Sequence, residues 1–115
     1  MTDEQATKTT PTSPITLESS DDFATVVADH DVVLVDFYAD WCGPCQMLEP
    51  ILETVAQETP AAVLKVDSDQ FQQLAAQHGV RGIPTTVLYA NGEPQESLVG
   101  VKQADQYAAL IRQYA

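Results

Sequence analysis

The stretch VDFYADWCGPCQ, Val35 to Gln46, decides how this chain is read. Its first half continues an apolar, β-branched run from Val32, so residues 32–39 read as a central strand buried on both faces. One residue breaks the pattern. Asp36 is an isolated acid in that run, and its carboxyl is expected to be desolvated and to ionise late. The second half holds both cysteines of the chain, Cys42 and Cys45. Beyond them Met47, Leu48, Ile51, Leu52 and Val55 recur at helical spacing, opposite a wet face of Gln46, Glu49, Glu53 and Gln57. This spacing predicts a helix from about Cys42 or Gly43 to Glu58, with a kink at Pro50.

Two cysteines separated by two residues can hold a metal, staple a fold or exchange electrons. A structural zinc site needs four ligands. Here it would have to recruit His30 and His78, which lie on opposite sides of the pair and each end an apolar helical stripe. Such a position suits a packed histidine near a helix C-terminus, and no metal is expected in the monomer. A dimer sharing two Cys-x-x-Cys pairs is a separate alternative. A staple closing two residues constrains almost nothing, because the effect grows with loop length. The electron-exchange reading accounts for more. Cys42 falls at a helix start, where free backbone N–H groups and the helix dipole favour a thiolate. Cys45 lies one turn further in, more shielded and within bridging reach. Pro44 fits the first helical turn, and Gly43 allows a substrate backbone close approach.

Outward from this centre the chain reads as β-α-β-α-β-α-β-β-α. Ile15–Leu17 can start a first strand, and Ser19 or Ser20 can cap a helix bearing Phe23, Val26 and Val27. Residues 61–67 form a third strand, with Asp69 a candidate cap for a helix carrying Phe71, Leu74, Ala75 and His78 and ending at Gly79. Residues 85–90 form a fourth strand. Asn91-Gly92 signals a hairpin into a fifth, at about residues 95–99. Tyr107, Leu110, Ile111 and Tyr114 mark a last helix. The fold class is α/β, a mixed, mostly five-stranded sheet with helices on both faces.

At 115 residues the chain fits one domain. Residues 1–14 are polar and expected to form a flexible N-terminal tail, leaving residues 15–115 as the folded domain. Seventeen acids against five bases give a net charge of −12. That field repels nucleic-acid phosphates and anionic lipid, so neither is an expected partner. The charge also raises adaptation to high salt as an expectation. No segment reaches the length of a membrane span, and the N-terminus lacks a basic start and an apolar run. A cytoplasmic protein is expected, in a reducing compartment where structural disulfides are rare.

WCGPC within VDFYADWCGPC resembles the active-site motif of the thioredoxin family. The resemblance continues through KVDSDQ (Lys65–Gln70), GVRGIPTTVLYANGE (Gly79–Glu93) and VG (Val99–Gly100), in that family's order and spacing over residues 15–115. It implies the thioredoxin fold and a protein dithiol–disulfide oxidoreductase acting through a mixed disulfide. Cys42 matches the attacking cysteine and Cys45 the resolving one. Asp36 matches a buried aspartate beneath the Cys45 sulfur, suited to proton transfer there, with Lys65 as its neighbour. Pro84 matches a proline that follows a cis peptide bond and packs on the disulfide. Trp41, Gly82, Ile83, Val99 and Gly100 match the apolar rim that receives substrate.

The resemblance also implies disulfide-containing protein substrates, a thioredoxin reductase as electron source, a monomer and no bound cofactor. Gly-Pro between the cysteines resembles the reductants of the wider superfamily. Three positions depart from the pattern: Gln46 where a basic residue is usual, Ser68 where an aliphatic one is, and Tyr38 where tryptophan is frequent. They bear on affinity, partner choice and potential and leave the chemistry intact. The rival reading is a non-catalytic binding or chaperone-like module on the same fold.

Overall fold

The structure is a computed structural model and describes residues 10–115. Residues 1–9 of the expected tail lie outside the described residues, and residues 10–14 enter no helix or strand.

The centre of the molecule is β2 (Val32–Tyr38), whose side chains are buried on both faces through Phe37. It lies between β3 (Ala62–Asp67), parallel to it, and β4 (Thr85–Ala90), antiparallel. β1 (Ile15–Thr16) extends the sheet beyond β3, and β5 (Glu93–Val99) closes the other edge, in the order β1-β3-β2-β4-β5. A parallel pair needs a crossover, and α2 (Gly43–Glu58) supplies it between β2 and β3. α1 (Phe23–Asp29) and α3 (Gln72–Gln77) cover one face, and α2 and α4 (Ala104–Tyr114) the other.

Strand alternation sorts the core into two halves. Val33, Val35 and Phe37 pack with Val27, Ala75 and Tyr89, and with the partly buried Phe23 and Leu74. Val32 and Leu34 pack with Leu48, Leu52, Tyr107 and Ile111. Asp36 follows the parity of Val32 and Leu34, so it belongs to the α2 and α4 face. His78 ends α3 inside the first half. Its Nδ1–H donates to the Leu74 carbonyl at 2.8 Å, its Nε2 meets the Tyr89 hydroxyl, and its ring lies 5.3 Å from that of Phe23. His30 sits just past α1 in extended backbone.

The hairpin forms as its sequence predicts. Asn91 and Gly92 take φ of 54° and 82°, the left-handed pair of a tight two-residue turn. β5 begins earlier than expected, at Glu93, and includes Pro94 beside a register shift at Leu88/Tyr89. Proline is tolerated there because β5 is an edge strand.

Two local expectations are corrected. Met47 does not belong to the buried face of α2: it is 66% exposed, and the buried set is Cys45, Leu48, Leu52, Val55 and Ala56. The buried stripe is turned away from Met47 and takes in Cys45 and Ala56. Asp69 caps no helix. Asp67 instead accepts from the backbone N–H groups of Asp69 and Gln70, at 2.9 and 3.4 Å, and ties the turn into α3. α2 runs unbroken through Pro50.

This placement predicts unequal costs for neighbouring truncations on α2. Leu48→Ala should lose about 2–5 kcal/mol of stability in urea unfolding. Met47→Ala should stay within about 0.5 kcal/mol of the unmodified chain. A comparable loss at Met47 would contradict the rotated stripe.

Candidate active site

β2 ends at Tyr38 and α2 begins at Gly43, so the four residues between them carry the chain off the sheet edge and into a helix start. Cys42 is the N-cap of α2. Its Sγ accepts the backbone N–H of Cys45 at 3.2 Å, so sulfur takes the place that a serine or aspartate oxygen usually holds. That N–H and the dipole of a 16-residue helix both favour negative charge on this sulfur. Pro44 occupies the first turn, where it removes no helical hydrogen bond. Gly43 faces open space.

Cys42 and Cys45 are joined as a disulfide, with Cα atoms 5.2 Å apart. Both are buried, and Tyr38, Ala39 and Ile83 pack around them. The Cys42 Sγ lies 3.8 Å from the carbonyl oxygen of Ile83. The Ile83–Pro84 peptide bond is cis. Pro84 is buried, and its carbonyl accepts the N–H of Gly100 at 2.8 Å, which ties the loop after β5 to the loop before β4. Gly100 has φ +90°, a conformation that other residues adopt only with strain. Val99, opposite Thr85 in the sheet, is 66% exposed.

Trp41 is 69% exposed, more than a half-buried rim residue would be. Its indole N–H donates to the Asp69 carboxylate at 2.7 Å. Trp41, Ser68, Asp69, Arg81, Gly82 and Ile83 line a groove of about 480 Å³ beside the disulfide. Gln46, at the position where the family usually has a basic residue, donates its amide to the Asp40 carbonyl at 3.0 Å. The Ser68 hydroxyl is buried without a hydrogen-bond partner.

Asp36 is fully buried, and neither carboxylate oxygen has a hydrogen-bond partner. Burial pushes its pKa up from 3.8 to about 7; the Lys65 ammonium partly offsets that rise, and the Glu49 carboxylate adds to it. Lys65 is directly opposite Asp36 in the β2–β3 register. Its ammonium nevertheless pairs with Glu49 at 3.3 Å and lies 4.4 Å from the centre of the Tyr38 ring. Glu49 and Asp69 are thus the site-adjacent residues that sequence reading placed elsewhere, on a wet helix face and at a helix cap. Glu49 falls one turn beyond Cys45, and that spacing was the available signal. Nothing local links Asp69 to Trp41. Among the described residues no group of three or more His, Cys, Asp or Glu side chains is arranged to hold a metal ion.

A disulfide that spans two residues at the mouth of a helix has its use in electron exchange, and a molecule built around one is a thiol–disulfide oxidoreductase. The family model described as Thioredoxin matches residues 14–113. A thioredoxin of Chlamydia muridarum is 44% identical over 101 residues, covering 87% of this chain and 98% of that protein. A solved structure of a mutant thioredoxin from Halobacterium salinarum superposes with a TM-score of 0.88 at 51% identity, covering 91% of this chain and 93% of that one. A bifunctional thioredoxin reductase/thioredoxin of Mycobacterium leprae is 41% identical over 102 residues, 85% of this chain and 22% of that protein. The chain belongs to the thioredoxin family, has the thioredoxin fold and is a dithiol–disulfide oxidoreductase.

The environment of Asp36 sets a pH dependence of stability. Its folded pKa lies above its unfolded value, so the native chain holds this proton more tightly than the unfolded chain. Ionisation of the buried acid costs nothing below about pH 4; the cost grows as pH rises to about 7 and levels off above it. Asp36→Asn should therefore stabilise the fold, by a few kcal/mol at about pH 8 and by clearly less at about pH 5. Urea unfolding at the two pH values checks this; an equal gain at both would mean that ionisation of Asp36 is not the cause.

Proposed function

We propose that this protein reduces disulfides in other proteins, with Cys42 as the attacking thiolate and Cys45 as the resolving thiol. The observation that carries the assignment is the helix N-cap position of Cys42, where the sulfur already accepts a backbone N–H. In the reduced protein the Cys42 thiolate attacks one sulfur of a substrate disulfide. A Cys42–substrate bond forms, the substrate S–S bond breaks, and one substrate thiolate leaves and takes a proton from water. Cys45 then gives its proton to Asp36, and its thiolate attacks the Cys42 sulfur. The mixed disulfide breaks, the second substrate thiolate leaves, and two electrons have passed to the substrate. The Cys42–Cys45 disulfide remains.

Asp36 suits that step because a carboxyl with a pKa of about 7 can take a proton from Cys45 and return it during re-reduction. Its place on the face covered by α2, the helix that carries Cys45, supports the role. Lys65 tempers its charge, and Gly43 and Pro44 shape the turn. The substrate strand lies along Trp41, Gly82, Ile83, Pro84, Val99 and Gly100, a reading supported by the exposure of Trp41 and Val99 beside the disulfide. The catalytic unit is residues 15–115. A thioredoxin reductase restores the dithiol, a reading supported by the Mycobacterium leprae relative in which the two are named as one bifunctional protein.

The protein works as a monomer in a reducing cytoplasm, away from nucleic acid and membrane, since a net charge of −12 repels its own copies and anionic surfaces alike. Among the described residues no helix is long and apolar enough to cross a membrane. The acidity fits a salty interior. Lys65–Glu49 is the single ion pair among the described residues, so most acids rely on solvent and ions for screening.

Two experiments check this reading. Cys45→Ser should accumulate mixed disulfides with substrate proteins, and Cys42→Ser should not; equal trapping by both would reverse or void the assignment. The thermal midpoint should rise between about 0.1 M and about 1 M KCl, as the Debye length falls from about 10 Å to about 3 Å. Flat or falling midpoints in both the reduced and oxidised protein would reject salt adaptation.

A further inference from the structure

Asp36 and Glu49 both lie within reach of the electrostatic influence of one ammonium group, that of Lys65. Register places Lys65 against Asp36 on the neighbouring strand, yet its nitrogen is in ion-pair contact with Glu49, and the Asp36 carboxylate makes no hydrogen bond. The choice has a physical cause. Pairing with Asp36 would bury an ion pair and strip both groups of water. Pairing with half-exposed Glu49 leaves the ammonium partly hydrated and resting on the Tyr38 ring. The lysine stem is long enough to make that choice.

We propose that Glu49 is a positioning residue for disulfide exchange: its carboxylate draws the Lys65 ammonium outward and withholds it from Asp36, so that Asp36 stays basic enough to take the proton of Cys45. The inference rests on the assignment of Asp36 as the proton partner of Cys45. The groups facing Asp36 from the packed elements are Lys65 on β3, Glu49 on α2, Tyr107 on α4, and Tyr38 on β2 itself. Thr86 on β4 is opposite it in register and carries no charge. Both tyrosines are held above their ordinary range and stay neutral near pH 7. Lys65 and Glu49 are thus the charged groups acting on Asp36. Removing Glu49 acts twice in one direction: it deletes a repelling charge and frees an attracting one.

The test is a titration of the Asp36 side-chain carboxyl carbon by NMR in the oxidised protein, beside the pH profile of insulin-disulfide reduction. The chains compared are the unmodified protein, Glu49→Gln, Lys65→Met and the double variant. In Glu49→Gln the Asp36 midpoint should fall by roughly one pH unit, and the acid limb of the rate profile should move down with it. On the Lys65→Met background, Glu49→Gln should move the midpoint less, because no ammonium is left to release. An Asp36 midpoint unchanged by Glu49→Gln overturns the proposal, as does an equal shift with and without Lys65. A midpoint that moves while the rate profile stays fixed overturns the assignment of Asp36 to proton transfer instead.

Discussion

The structure depends on burying β2 on both faces. A strand in that position must be almost wholly apolar, must have a sheet neighbour on each side and must be covered by helices above and below. Each demand is met by a particular part of the chain: β3 and β4 flank it, α1 and α3 cover Val33, Val35 and Phe37, and α2 and α4 cover Val32 and Leu34. The same burial makes Asp36 expensive. An acid that pairs with nothing there is kept at a cost to folding, and the cost is tied to where its proton sits. The reactive end of the molecule follows from the same strand, because β2 delivers the chain directly to the N-cap of α2.

The charges around the site form a graded series from inside to outside. Asp36 is sealed, Lys65 is mostly covered, and Glu49 is half in water. One ammonium between two carboxylates settles toward the one that lets it keep its hydration. The inner acid then feels positive charge through several ångströms of protein and without contact. This arrangement makes a surface helix residue part of the electrostatics of a buried group.

What could be read from the sequence was whatever short-range pattern dictates. The unbroken apolar run of β2, the Asn91-Gly92 turn, the stop at Gly79 and the start of α2 at the cysteines all express local rules, and the structure shows each of them. The thioredoxin fold came from the motif and its spacing along the chain, which periodicity alone would not have supplied. The misses are tertiary. Met47 and Leu48 both fit the helical spacing, and which one is buried is decided by packing against the sheet and α4. Asp69 has the right chemistry for a cap, but Asp67 is better placed for the turn and leaves Asp69 to Trp41. The partner of Lys65 was hidden because Glu49 is distant in sequence and looks solvated on a helical wheel.

The outer edge of β5 carries a different consequence. A sheet edge offers a row of backbone groups to any extended chain that passes, including a second copy of the same protein. Here that edge begins Glu93-Pro94-Gln95-Glu96: the proline deletes a donor, and a neighbour docking alongside would meet carboxylates. Trp41 and Val99 meanwhile stand open to solvent at the disulfide end. The molecule thus keeps Trp41 and Val99 exposed at the end where the sulfurs are and makes its β5 edge inhospitable. Strand-by-strand growth along β5 is thereby disfavoured.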